Sequence, residues 1–214
     1  MCGRYALHSS PEIVALAFGL PEIPAFGPRF NIAPASQVLI VRQGGGAPDA
    51  AQVRWGLVPR WAKDPAIGAK MNNARAETVA EKPFFREAYR KRRCLIPADG
   101  FYEWKTEGGR KQPYYVRPAG GGLFAFAGLW ETWNGPGLVL ETCAVITTDA
   151  NAKMAAVHER MPVIVPPPHY SAWLSGAEGL LLPCPDEAIA IRRVGRAVNH
   201  ARNEGPGLIE PEDG

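Results

Sequence analysis

The sequence predicts an α+β protein: a single strand-rich domain of mixed or antiparallel sheets, with a partly barrel-like core and peripheral helices. Three observations carry this. The chain has 214 residues and 46% hydrophobic content, enough for one full-size core. From residue 94 to 147, short runs rich in aromatic and β-branched residues alternate with Gly-rich turns. No internal repeat and no linker divides the chain, so the strands must share one core.

The elements follow in order. Ser10-Pro11-Glu12, with Ile13, Leu16 and Ala17 behind it, predicts a short capped helix. Residues 21–36 are rich in Pro and Gly and predict a long surface loop. Strands are expected over 37–42 and 52–55, separated by a Gly-Gly-Gly-Ala-Pro turn. Residues 59–73 are expected to be irregular, and 81–92 a helix. Strands follow over 94–96, 101–105, 113–117, 123–129 and 138–147, with Thr106-Glu107-Gly108-Gly109 as a hairpin tip. Then come a helix over 151–158, a strand over 162–165 and a Pro-started helix over 166–175. The domain is expected to span 1–203, leaving 204–214 as a frayed, flexible acidic tail.

Composition narrows the function. The net charge is +3 and the isoelectric point is near 8.7, a mild basic bias toward a polyanionic partner. Arg86, Arg90, Lys91, Arg92 and Arg93 crowd one segment, for which a solvated helix face is the plainer account. No apolar run has the length of a membrane span and no secretory leader pattern precedes Arg4, so a cytoplasmic protein is expected, nucleoid-associated if bacterial. Cys2, Cys94, Cys143 and Cys184 form no Cys-x-x-Cys pair and have no His at zinc spacing; no metal and no cofactor are expected. Cys94 and Cys143 lie in apolar runs and are expected in the core.

The chemistry begins at Met1-Cys2-Gly3-Arg4-Tyr5. Cleavage of Met1 would leave Cys2 with two nucleophiles on adjacent carbons, an α-amine and a thiol. The amine can condense with an aldehyde, and the thiol can close the imine into a thiazolidine. An α-amine of pKa about 7.7–8.0 is roughly 10–20% neutral at pH 7, so it is competent to attack. In Phe101-Tyr102-Glu103-Trp104-Lys105, alternation puts Phe101, Glu103 and Lys105 on one face and Tyr102 and Trp104 on the other. A carboxylate among aromatics on a central strand predicts a raised pKa and a general-acid role for Glu103, against the alternative of an exposed hairpin Glu. His158, in His158-Glu159-Arg160-Met161-Pro162, is a second acid–base candidate.

These residues resemble the SRAP (SOS response-associated peptidase) family of abasic-site processing proteins. The resemblance runs from Met1-Cys2-Gly3-Arg4-Tyr5 to Ala197-Val198-Asn199. Between them lie Asn31-Ile32-Ala33-Pro34, Trp55-Gly56-Leu57-Val58-Pro59-Arg60-Trp61, Asn73-Ala74-Arg75-Ala76-Glu77, Gly100-Phe101-Tyr102-Glu103-Trp104, Phe126-Ala127-Gly128-Leu129-Trp130-Glu131 and His158-Glu159-Arg160-Met161-Pro162. It implies the SRAP fold and, as partner, single-stranded DNA carrying an abasic site, bound by a monomer. It implies covalent capture of the open-chain sugar aldehyde by Cys2, with Asn73 orienting the amine and sugar and Glu103 and His158 moving protons. Arg4, Arg75 and Arg160 match phosphate-gripping positions; Asn31, Pro34 and Thr147 match the wall of the lesion pocket; Trp61 matches an aromatic that stacks on or wedges beside a base. Met71 is the nearest apolar candidate for a second wedge. Asn73 rather than Asn72 is chosen because it starts Asn-x-Arg-x-Glu.

Other chemistry stays open. Cys2 could serve an N-terminal-nucleophile cysteine peptidase or amidohydrolase, with its own amine as base. A non-covalent single-strand binding module would need no free N-terminus. An α-amine imine could also drive β-elimination, giving abasic-site lyase activity.

Overall fold

The computed structural model describes residues 2–212. Its strands are β1 (Tyr5–Leu7), β2 (Arg29–Ile32), β3 (Gln37–Gln43), β4 (Pro48–Trp55), β5 (Asn73–Arg75), β6 (Arg93–Ala98), β7 (Gly100–Glu107), β8 (Arg110–Pro118), β9 (Phe124–Gly135), β10 (Leu138–Asp149), β11 (Arg160–Pro162) and β12 (Ile189–Arg193). Its helices are α1 (Pro11–Phe18), α2 (Arg86–Lys91), α3 (Ala152–Ala155) and α4 (Tyr170–Leu174).

Five strands close on themselves. β10 pairs with β4 in parallel, and β4–β3, β3–β6, β6–β9 and β9–β10 pair antiparallel, which returns the ladder to β10. The expected partly barrel-like core is therefore a closed five-stranded barrel, and closure leaves these strands no free edge. β5 and β11 attach beside β10. A second, five-stranded sheet runs β12-β8-β7-β1-β2. The two sheets meet through aromatic rings: Tyr5 of β1 and Phe101 of β7 lie edge-on to Phe126 of β9, with centroids 6.0 and 5.9 Å away.

Local sequence explains the elements. α1 starts at Ser10, whose hydroxyl accepts from Ile13 N, and stops at Gly19 in the left-handed region. The β7–β8 hairpin turns on Gly108 and Gly109, at φ 55° and 76°, as its Gly-Gly tip predicts. Gly100 opens β7 where a Cβ would stand 2.5 Å from the Tyr115 hydroxyl and the Val116 carbonyl, so only glycine lets β7 lie this close to β8.

Several expectations are corrected. The 21–36 loop contains β2, whose Asn31 and Ile32 are buried. β1 and β12 were not expected; three and five residues carry too little period to stand out. The helix over 81–92 shrinks to α2 because Pro83 disfavours helix at the residue before it and lacks a donor. The helix over 151–158 is only α3, capped by Asn151. The strand over 162–165 is displaced to β11, followed by a bridge at Ile164 to Phe126. The segment over 166–175 is a 3-10 turn (Pro167–His169) running into α4.

The acidic segment from 204 is packed through residue 212. Leu208 is buried with Tyr102, Tyr115, Val194 and Val198 on the outer face of the five-stranded sheet. Glu204 accepts from Phe30 N, Pro211 bridges Val194, and Glu212 pairs with Arg193. The cysteines Cys2, Cys94, Cys143 and Cys184 are free and buried. No helix among the described residues is long and apolar enough to cross a membrane, and none of their His, Cys, Asp and Glu side chains gather into a group able to hold a metal.

Candidate active site

Four segments far apart in sequence converge at the seam between barrel and sheet. Cys2 leads into β1, which pairs with β7 at Tyr5↔Phe101. Asn73 opens β5 beside β10. Its Nδ2 donates to the Cys2 carbonyl at 2.8 Å, while its buried Oδ1 has no partner among the described residues. Glu103 is buried at 3% exposure on the face of β7 that carries Phe101, as alternation predicts. His158 follows α3, and its Nε2 lies 3.9 Å from Glu103 Oε2.

The electrostatics separate these groups. Burial raises the Glu103 pKa, and His158 opposes the rise. A carboxyl so placed keeps its proton to a higher pH than an exposed one, which suits a proton donor. Burial, then the Glu103 charge, pushes the Cys2 thiol upward. The Arg160 amide nitrogen lies 3.0 Å from His158 Nδ1. The same Nδ1 lies 3.2 Å from the Arg160 carbonyl, so it accepts from the amide or donates to the carbonyl according to the tautomer, while Nε2 faces Glu103.

Glu103 and His158 border an open cavity of about 500 Å³, lined also by Gly3, Arg4, Trp104, Lys111 and Asn199; Asn73 and the fully buried Cys2 are not part of its lining. Arg4 is half-sunk in the wall. Its Nη1 donates to Asn31 Oδ1 at 2.7 Å and the Val198 carbonyl at 3.0 Å, and its guanidinium lies 5.7 Å from the Trp104 ring. Trp104 Nε1 in turn donates to Asn199 Oδ1 at 2.6 Å. Trp104, Lys111 and Asn199 were not singled out from sequence as site residues. The alternation along β7 and the Ala197-Val198-Asn199 motif held signals for two of them; Lys111 had none.

The remaining expected residues divide. Asn31 is buried, with Oδ1 taken by Arg4 and Nδ2 donating to the His200 and Asn203 carbonyls, so it touches the cavity only through Arg4. Thr147 is buried, and its carbonyl accepts from Arg160 Nη2 at 2.8 Å. Pro34 sits in the turn after β2, next to Ala35 at φ 70°. Arg75 is exposed on β5. Arg160 is engaged by Glu77, Asp149 and Thr147. Trp61 lies outside the cavity lining, 53% exposed, with its ring 5.2 Å from Phe84. The second apolar group beside Trp61 is thus Phe84; Met71 packs against the core.

The barrel and the sheet thus gather a cysteine, an amide, a buried carboxyl and an imidazole at one seam, with the carboxyl and the imidazole facing an open cavity. The chain belongs to the SOS response associated peptidase (SRAP) family, whose model matches residues 1–201. It is 40% identical to the abasic site processing protein YoqW of Bacillus subtilis over 222 residues, covering 98% of this chain and 99% of that one. It is 39% identical to YoaM of the same organism, also named an abasic site processing protein, over 100% of this chain and 99% of that one. A crystal structure of a protein from Bacteroides thetaiotaomicron shares the fold, with TM-score 0.89 and 24% identity over 99% of this chain and 100% of that one.

Proposed function

We propose that this protein captures abasic sites in single-stranded DNA as a covalent thiazolidine on Cys2. The observation that carries the reading is the convergence of Cys2, Asn73, Glu103 and His158 from four separate segments. With Met1 removed, the Cys2 amine adds to C1′ of the open-chain sugar and water leaves, giving an imine. The thiol then adds across the imine, its sulfur to the carbon and its proton to the nitrogen, and closes the five-membered ring. The sum is one amine, one thiol and one aldehyde giving one thiazolidine and one water.

Asn73 holds the Cys2 carbonyl through Nδ2, which leaves Oδ1 to accept from the new amine. The closed sugar has no carbonyl to attack, so ring opening comes first. Glu103 delivers a proton to the ring oxygen, and His158 takes one from the hydroxyl. Positioned groups of this kind contribute about 10²–10⁴-fold. Holding the aldehyde between amine and thiol makes closure effectively intramolecular. Arg4 and Arg75 grip flanking phosphates, Arg160 joins them, and Trp61 offers a ring to a neighbouring base. Asn31, Pro34 and Thr147 shape the wall behind the lesion, Asn31 by holding Arg4.

Intact mass tests this. The purified protein is weighed before and after incubation with an oligonucleotide carrying one abasic site. Loss of Met1, then a gain of the oligonucleotide mass less one water, absent in Cys2→Ala, is expected. A clipped protein that forms no adduct would favour amide hydrolysis, and retention of Met1 would overturn both.

A further inference from the structure

Arg160 is held by carboxylates in the manner a phosphate would hold it. Nη1 donates to Glu77 Oε1 at 2.7 Å and Asp149 Oδ1 at 2.5 Å; Nη2 donates to Glu77 Oε2 at 3.0 Å and the Thr147 carbonyl at 2.8 Å. The Glu77 pair is the two-pronged geometry in which a guanidinium also takes phosphate oxygens. The Arg160 side chain is 12% exposed, but those of Glu77 and Asp149 are 46% and 81% exposed and can swing away into water. Arg75 adds its charge to Arg160 in favouring ionised Glu77. Two cations and two carboxylates thus share this rim, and their charges cancel.

We propose that Glu77 and Asp149 compete with the DNA phosphate for Arg160, so that strand binding exchanges a carboxylate for a phosphate at this guanidinium. The inference rests on the single-strand reading above. A departing carboxylate regains water while a phosphate takes over the same guanidinium hydrogen bonds, so the exchange is near balance, yet it subtracts from the affinity for any strand. Undamaged DNA is then released readily, while a lesion is retained by the covalent bond rather than by phosphate contacts. Exchange also lowers salt dependence: as the phosphate sheds its counterion, the displaced carboxylate takes one up.

The test is fluorescence anisotropy of a labelled oligo-dT, which has no aldehyde and binds only non-covalently, across a salt series. Glu77→Gln is expected to tighten binding about two- to fivefold at low salt. It should also steepen the log–log salt slope by up to about 0.7, the value of one single-strand phosphate contact. Asp149→Asn should shift both the same way, and Glu77→Asp should stay near wild type. In an Arg160→Gln background, Glu77→Gln should lose its effect. Asp49→Asn, which removes an exposed carboxylate paired with Arg42, is the charge control. Weaker binding by a folded Glu77→Gln protein with unchanged slope would make Glu77 a scaffold for Arg160 and overturn the inference. Equal tightening by Asp49→Asn would overturn it too, as a net-charge effect. No binding of oligo-dT by the wild type would instead overturn the single-strand reading on which it rests.

Discussion

Glu103 and Glu131 are both 3% exposed, each lies on a strand beside a tryptophan, and burial raises the pKa of both. What surrounds them differs. Glu131 is clasped by Arg92 Nη2 at 2.6 Å and Arg60 Nε at 3.3 Å, and it accepts from Thr132 N at 2.9 Å. Its oxygens are spent on holding α2 and the loop before Trp61 against β9. Glu103 faces an imidazole across 3.9 Å and borders the open cavity. Burial alone therefore does not mark a functional carboxylate. The distinguishing features are access to a cavity and a neighbour that can itself exchange a proton.

The strongest way to break this comparison is to remove each carboxylate and follow capture. Glu103→Gln keeps shape and hydrogen bonding but loses the transferable proton. Its cross-linking rate should fall about 100-fold or more, while oligo-dT affinity stays within a factor of a few. Glu131→Gln should cross-link at the wild-type rate per folded molecule. Gel-resolved single-turnover time courses measure both. Equal losses in the two variants would place Glu103 among the structural carboxylates.

Stability should reverse the order. Glu131→Gln takes from the Arg92 guanidinium, whose side chain is 11% exposed, its buried countercharge and leaves it the exposed Glu87 at 3.3 Å. The expected loss is about 2 kcal/mol at pH 7, read from urea unfolding. A Glu131→Gln protein as stable as wild type would show that the arginines find water as readily as the carboxylate.

The two glutamates were not equally legible in the sequence. Glu103 stood out because strand alternation needs only five consecutive residues, and the aromatics around it gave the burial. The long strands β3, β4 and β6 to β10 were visible for the same reason, since period and turn residues are local. Glu131 drew no notice because its partners are 39 and 71 positions away. The internal engagement of Arg160 by Glu77 spans 83 positions, and spacing gives no hint of it. The same holds for the C-terminal segment. Its acidic, Pro- and Gly-rich composition suggested fraying, yet Leu208, Glu204 and Glu212 each find a partner surface made by residues far away in the chain. The contacts of Asn31 were not legible, because its three hydrogen bonds reach Arg4 and the carbonyls of residues 200 and 203.

The finest distinction is the pH dependence of stability for Glu103 itself. Its folded pKa is raised, so between the ordinary carboxylate range and that higher value the native state binds more protons than the unfolded chain. Stability must then fall as pH rises through this window. Glu103→Gln cannot lose a proton and escapes that slope. Relative to wild type it should gain stability as pH rises from about 4, and the gain should level off above the folded pKa. Urea unfolding of both proteins at pH 4, 5.5 and 7.5 gives the three differences. A gain that grows with pH marks a carboxyl held at a cost in stability for the sake of its proton. A difference that does not change with pH would mean that Glu103 ionises as it would in water, and the general-acid role would have to move to another group.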